Sequence, residues 1–472
     1  MTRTKFALLC LGVCLLGIRL PAAVPAQPAP PNFIFISIDD LGYADLGSFG
    51  STINRTPNLD RMAREGLKLT SFYAAPVCSP SRAALLTGSY PKRALPIPHV
   101  LFPEYDHGLS PDEVTIAEVL KEKGYRTAII GKWHLGDQPE LLPTRQGFDY
   151  WFGLPYSNDM GPAEDGVKSD LGKPLPAVKP GARQQPPLPL LRNEKILKRV
   201  LPDDQQALVE LLTEESVNFL KSARDQPFFL YLPHAAVHFP LYPGKKFAGR
   251  SPQGIYSDWV EEVDWSVGRV LDTVRELGLE SRTLVIFTSD NGGTRRGTNN
   301  PLRGFKGSTW EGGMRVPTIA WWPGHIPAGT SSDAISGMID ILPTFAALAG
   351  APLPAGRKLD GANLWLLLSG SSTEPVHDSF HYFRGLKLEA VRQGSWKLIL
   401  ADQQLFNLDR DLGETTDVAK DHPEQVKRLL SLAEAMDADL GIDGQGPGCR
   451  PLGKVENPKP LINRDGKFRE GF

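Results

Sequence analysis

Four short runs of β-branched and aromatic residues punctuate the chain: FIFISI at 33–38, TAII at 127–130, FFLYL at 228–232 and TLVIFTS at 283–289. None alternates cleanly with polar residues, so each reads as a strand buried on both faces. Apolar residues recur at helical spacing over 57–65, 114–123, 204–224 and 256–277. Strands alternating with helices predict an α/β fold, a mostly parallel sheet flanked by helices on both faces. Ligands of such sheets sit beyond the carboxyl ends of the strands. Each run is followed there by polar residues: Asp39 and Asp40, Lys132 and His134, His234 and His238, Asp290 and Asn291.

The pattern changes at three other places. Residues 161–189 are rich in Pro, Gly, Lys and Asp and predict a long irregular insertion. Beyond about residue 370, HYFRGLKLEAVRQGSWKLILA and QLFNLD alternate strands with turn signals, a helical pattern follows at 423–438, and an extended tail is expected from Gly444. This divides the chain into a large domain over 27–370 and a smaller α+β subdomain with an antiparallel sheet and tail over 371–472. At the start, Arg3 and Lys5 precede an apolar run at 6–18 and small residues around 22–26, the grammar of a signal peptide over 1–26. The run is shorter than the roughly 20 residues of a spanning helix, so no stable membrane anchor is expected.

Composition narrows the function classes. A chain of 472 residues with 41% hydrophobic and 22% charged content is globular rather than disordered. A net charge of -2 gives no global field to gather nucleic acid or an anionic membrane, so an anion must be held by a local cluster. Loss of the signal segment removes Cys10 and Cys14 and leaves Cys78 and Cys449, which permits one disulfide at most. A cysteine-poor exported chain relies on its core, and a lone Cys inside a dense motif invites a chemical explanation.

The acid pair Asp39 and Asp40, with Asp290 and Asn291 at another strand end, supplies hard oxygen ligands that suit Ca²⁺ or Mg²⁺ better than zinc. Either pair alone is better read as a cap or a turn; their shared position at strand ends reverses that preference in favour of a metal. In CSPSRAALLTG (78–88), Pro80 fits the first turn of a helix, and Arg82 lies four residues after Cys78 on the same face. Such a helix start favours a bound anion, and Arg82 adds a permanent charge. Read as a thiol, Cys78 is either a low-pKa nucleophile or a packing residue.

CSPSRAALLTG and GYRTAIIGKWHLG (124–136) resemble the two signatures of the type I, formylglycine-dependent sulfatases. FISIDDLGYADLG, TPNLDRMAREG (56–66), VIFTSDNGG (285–293) and GSTWEGGMRVP (307–317) agree with the same family, over about 33–435. GFDYWFGLPYSNDMGP (147–162) is most similar to the arylsulfatase A and N-acetylgalactosamine-sulfatase branch. The resemblance implies an alkaline-phosphatase-like fold with a small C-terminal antiparallel-sheet domain. It also implies that Cys78 is oxidised to formylglycine by a separate formylglycine-generating enzyme. One hydroxyl of the hydrated aldehyde would then attack sulfur, and the other would expel sulfate. Asp39, Asp40, Asp290, Asn291 and modified Cys78 match the family's Ca²⁺ ligands, and Asp290 also matches the acceptor of the nucleophile's proton. Arg82 and Lys132 would stabilise charge, and His134 would act as the base of the second step. Lys306, with His238, would protonate the leaving oxygen. Ser157 matches a sulfate-binding serine. His234 either lines the pocket or closes a hydrogen bond in its wall. His99, His107, His325, His377, His381 and His422 fall outside these motifs and are assigned surface or structural roles.

The expectation is therefore a sulfuric ester hydrolase. Its partners would be a sulfated carbohydrate or aryl sulfate and no nucleic acid. A phosphomonoester or phosphonate hydrolase of the same superfamily, and a non-catalytic carbohydrate-binding protein with an unmodified thiol, are the competing readings. The specificity segments, 95–110 and 155–200, carry no legible motif. One Asn-x-Thr sequon at Asn54 and few cysteines suggest a bacterial periplasmic or secreted protein.

Overall fold

The run at 33–38 becomes the central strand. In the computed structural model, which describes residues 30–177 and 184–472, Asn32–Ile38 is buried at all seven positions and lies between Phe228–Pro233 and Thr283–Ser289, parallel to both. Arg126–Ile130 continues the sheet beside Phe228–Pro233, and Tyr150–Gly153 lies parallel beyond it. The four sequence-predicted strands thus form the middle of the sheet. Successive side chains point to opposite faces. Phe33 and Phe35 enter one core with helices Cys78–Thr87 and Ile341–Leu348, whereas Ile34, Ile36 and Ile38 enter another with Pro57–Glu65, Pro202–Ala223 and Ile255–Glu276.

Toward the margins antiparallel pairs appear, in strands that were not legible in the sequence. Arg315–Trp321 pairs antiparallel with Thr283–Ser289 and with Leu67–Tyr73, and a hairpin of Pro189–Arg192 and Lys195–Arg199 adds the far edge. LKLTSFY mixes Lys68, Thr70 and Ser71 into its apolar pattern, while RVPTIAW contains Pro317. Pro317 lacks an N–H and falls where the register shifts between Val316 and Thr318, which is how a sheet accommodates proline.

The C-terminal strands Phe380–Arg384, Lys387–Gln393, Trp396–Ile399 and Gln404–Asn407 form the expected antiparallel sheet, followed by helix Pro423–Leu440. Its Phe380, Tyr382 and Leu398 enter the same core as Leu85 and Leu86 of helix Cys78–Thr87. The tail returns to the large sheet's side: Gly453–Lys454 pairs with His107–Gly108, Val455 N–H donates to the Asp106 carbonyl at 2.7 Å, and Arg464 grips Glu104. The described part of 161–189 is irregular apart from one short turn of helix at Ala163–Asp165 and the strand that starts at Pro189.

Residues 1–26 lie outside the described residues, as do Cys10 and Cys14. Cys78 and Cys449 are both free. No described helix is long and apolar enough to cross a membrane. Asn54 of the sequon is buried, with its Nδ2 donating to the Asp45 carbonyl at 2.9 Å, so a glycan there would break a buried hydrogen bond.

Glu262 provides a test of the packing between the helices. It is buried on Ile255–Glu276, its Oε2 accepts Gly244 N–H at 2.7 Å, and burial pushes its carboxyl up to about 8. The folded state therefore holds this proton to higher pH than the unfolded chain. Its contribution is full below the usual carboxylate range and is lost as pH rises toward 8. Glu262→Gln should raise Tm by roughly 2 °C or more at pH 9 but little at pH 5, measured by calorimetry. Equal shifts at both pH values would refute the protonated buried carboxyl.

Candidate active site

The site begins at the start of helix Cys78–Thr87. Alanine and leucine after Pro80 favour the helix, and Gly88, at φ 63°, ends it with its N–H on the Ala84 carbonyl. All ten residues are buried. One turn after Cys78, the Arg82 guanidinium reaches three strand ends: Asp290 Oδ2 at 2.8 Å, Asp39 Oδ2 at 3.4 Å and the Lys132 carbonyl at 2.6 Å.

Asp39 and Asp40 follow the central strand, and Asp40 adopts φ 66°, a left-handed conformation that aspartate tolerates better than most residues. Asp39 Oδ2 is bonded to the Lys132 ammonium, and Asp39 Oδ1 lies 3.3 Å from Cys78 Sγ. Lys306 Nζ sits 2.6 Å from Asp40 Oδ1 and 3.5 Å from Cys78 Sγ. Asp39, Asp40, Cys78 and His238 offer donor atoms that all lie within 4.8 Å of one another. Asp290 and Asn291 attach to this group: Asp290 Oδ1 accepts Asp40 N–H at 3.4 Å, and Asn291 Nδ2 donates to Asp40 Oδ1 at 2.8 Å. The buried Asn291 Oδ1 has no hydrogen-bond partner among the described residues. An orphaned amide oxygen beside carboxylates fits a hard cation, so the donor set suits Ca²⁺ or Mg²⁺.

Charge and burial compete throughout. Burial raises the Asp39 carboxyl, but Lys132, His238, Lys306 and Arg82 outweigh it and hold Asp39 well below the usual range. Asp290 is pushed up by burial and by its neighbour Asp39. Burial and Asp39 also push the Cys78 thiol up, so the low-pKa thiolate considered from the helix position is not what this site favours. Burial opposes the charge on Lys306, yet Asp40, Cys78 and Asp39 keep its ammonium strongly protonated.

The histidines divide by partner. His238 Nε2 is 3.8 Å from Asp40 Oδ2, and its Nδ1 is 3.3 Å from the buried Ser157 Oγ. His134, at φ 63°, places Nε2 2.9 Å from the Leu101 carbonyl and leaves Nδ1 buried without a hydrogen-bond partner among the described residues. A carbonyl accepts only, so Nε2 carries the proton and Nδ1 keeps its lone pair. Burial, Lys132 and Arg82 hold this ring well below the usual histidine range. His234 Nε2 lies 3.0 Å from Ser266 Oγ on helix Ile255–Glu276, a contact in the wall, and burial brings it down to about 3.

Sequence reasoning missed the supporting groups. Ser79 Oγ accepts Leu101 N–H at 3.2 Å, so the helix start fixes the segment that holds His134. His99, two residues earlier, is held down by burial and by the charge of Lys306, which brings it into the site's electrostatic neighbourhood. The Ser79–Leu101 bond has no sequence signature, because it joins a helix start to an irregular loop. Among the other histidines, His377 bonds Asp340 and His325 stacks on Trp322.

Carboxylates and cations are buried together at the carboxyl ends of the parallel strands, where ligands of such sheets bind. The chain belongs to the sulfatase family: the Sulfatase model matches residues 31–351. It is 42% identical to human arylsulfatase A over 393 residues, 80% of this chain and 76% of the relative. It is 39% identical to N-acetylgalactosamine-6-sulfatase of Sus scrofa over 399 residues, 79% of this chain and 72% of the relative. The crystal structure of Ps i-CgsB in complex with k-i-k-neocarrahexaose superposes with TM-score 0.75 and 33% identity, covering 89% of this chain and 94% of that one. The protein is thus a sulfuric ester hydrolase of alkaline-phosphatase-like α/β architecture with a candidate metal cluster.

Removing one member of the charge cluster should be costly. Arg82→Met leaves Asp39 and Asp290 without their shared guanidinium and should destabilise metal-free protein by about 3–5 kcal/mol. Denaturant unfolding measures this; a loss below about 1 kcal/mol would mean that the carboxylates are compensated in another way.

Proposed function

We propose that this sulfatase hydrolyses sulfate esters of a carbohydrate outside the cytoplasm, using formylglycine made from Cys78 by a formylglycine-generating enzyme and a Ca²⁺ held by Asp39, Asp40, Asp290 and Asn291, with modified Cys78 completing the set. The observation that carries this reading is Cys78 at a buried helix start, in contact with Asp39 and Lys306. The hydrated aldehyde supplies a nucleophilic hydroxyl and the bound ion a Lewis acid for sulfate oxygen.

This chain's residues do the rest. Asp290, whose carboxyl is raised, accepts the proton of the attacking hydroxyl. Arg82 and Lys132 stabilise the developing charge in a dry site, where fixed cations act strongly. Lys306, paired with His238, donates a proton to the leaving oxygen, and Ser157 orients His238 and meets the sulfate. His134 Nδ1 takes the proton in the second step. Arg82, Lys132 and Lys306 balance the charges of Asp39, Asp40 and Asp290. A bound dication then leaves net positive charge facing an anionic ester. His234 supports the pocket from its wall. The carbohydrate reading draws support from Ps i-CgsB, crystallised with neocarrahexaose, and from the identity with N-acetylgalactosamine-6-sulfatase. Export rests on the pattern of residues 1–26.

The first experiment is peptide mass spectrometry across Cys78, on protein produced with a formylglycine-generating enzyme, beside aryl sulfate turnover with and without chelator. An aldehyde at position 78 with turnover lost to chelator and restored by Ca²⁺ is the expected result. An unmodified, inactive thiol under the same maturation would point to a binding protein. Cys78→Ser should lower kcat by roughly 10³-fold or more without changing Tm, because serine cannot complete the second step. Near-full activity in that variant would remove the formylglycine mechanism.

A further inference from the structure

Lys306 reaches the site from a turn, not from a strand end. Residues 303–314 loop out after Pro301, and few contacts fix the turn from the active-site side: Lys306 N–H donates to the Gly293 carbonyl at 3.1 Å, and Gly307 N–H to the Pro76 carbonyl at 2.8 Å. The other side rests on the C-terminal sheet. Lys397, on strand Trp396–Ile399, is fully buried; its ammonium donates to the Thr309 carbonyl at 2.8 Å and to Glu311 Oε1 at 3.0 Å and forms an ion pair with Glu414 Oε1 at 2.7 Å. Two hydrogen bonds and one ion pair thus tie the turn to this buried ammonium.

The neighbouring bonds tighten the same turn. Glu414 Oε2 accepts Glu311 N–H at 2.8 Å, and its carbonyl accepts Arg303 Nη1 at 2.7 Å. Thr309 Oγ1 donates to Glu389 Oε2 at 2.9 Å, and Tyr382 Oη donates to Glu311 Oε1 at 2.9 Å. Gly312 N–H closes the loop on the Arg303 carbonyl at 2.7 Å, while the Arg303 guanidinium stacks 3.7 Å from the Trp310 ring. Lys397, Glu389, Tyr382 and Glu414 all come from the C-terminal part of the chain, whereas Lys306 faces Asp40 and Cys78.

We infer that Lys397 and Glu414 are positioning residues for Lys306: the C-terminal sheet clamps the turn 303–311 and so aims the ammonium at the leaving oxygen. The inference rests on the proton-donor reading of Lys306 given above. Proton donation matters most when the leaving alcohol is a poor leaving group, so misplacing the donor should penalise poor leaving groups selectively. A donor displaced by about 1 Å can lose about 10²-fold.

The test compares kcat/KM for phenyl sulfate and 4-nitrophenyl sulfate in mature, Ca²⁺-loaded enzyme carrying Lys397→Met, Glu414→Gln or Thr309→Val, beside Lys306→Ala. Lys397→Met strips the buried Glu414 carboxylate of its cation, whereas Glu311 keeps Arg315 and Arg392, and it is the variant most exposed to misfolding. The other two keep the shape of the site and remain informative in that case. The expected result is that the phenyl to nitrophenyl ratio falls by roughly 10-fold in Lys306→Ala and by a similar factor in the clamp variants. A clamp substitution added to Lys306→Ala should then lower the ratio no further. A mere loss of stability would depress both substrates alike. If Lys306→Ala changes the ratio and the clamp variants do not, the positioning role is overturned and the Lys306 reading stands. If Lys306→Ala itself leaves the ratio unchanged, the proton-donor reading falls and the clamp inference with it.

Discussion

Asp39, Asp40 and Asp290 lie side by side at neighbouring strand ends with almost no exposure to water. An uncompensated buried carboxylate costs several kcal/mol, and three together repel one another as well. The fold meets this constraint with cations brought from three directions. Lys132 follows one strand, Arg82 rides on a helix and Lys306 enters on a turn. Helix Cys78–Thr87 must therefore point its start at the sheet, because only that direction places Arg82 between Asp39 and Asp290. The cationic frame also explains why the site suits an anionic substrate: charge that secures the fold is already arranged around the reacting group.

The centre of the sheet was legible because burial on both faces leaves an uninterrupted apolar run, a pattern that composition alone reveals. The polar residues that follow each run were legible for a related reason, since a charged cluster directly after a buried strand has few places to go except the carboxyl edge. The marginal strands were not, because Lys68, Thr70 and Pro317 erase the pattern where one face is only partly covered. The partnerships within the site were equally hidden. Asp40 and Asn291 meet across 251 positions of chain, and nothing in either motif says that the amide nitrogen goes to Asp40 while the oxygen is left over. The sequon at Asn54 shows the opposite failure, a clear local signal on a side chain that the fold buries.

The C-terminal sheet looked like a separate subdomain in the sequence, and its four strands pair with one another, but its packing and side-chain hydrogen bonds cross to the rest of the chain. Phe380, Tyr382 and Leu398 share a core with the helix that carries Cys78, and the tail beyond Gly444 stitches itself to residues 104–108. Segments distant in sequence thus hold residues 104–108 in place, and such contacts leave no local motif to read in 95–110.

The burial of all ten residues of helix Cys78–Thr87 has a consequence for timing. No second protein can grasp the peptide around Cys78 once Leu85 and Leu86 are covered, because seizing it would require opening the core. Any enzymatic alteration of that side chain must precede closure. The strand Arg315–Trp321 and the C-terminal sheet, which complete this core, are synthesised some 240 residues or more after Cys78. During that interval the core that buries the segment is incomplete. Order of synthesis thereby opens a working period for chemistry at Cys78, and folding brings it to a close.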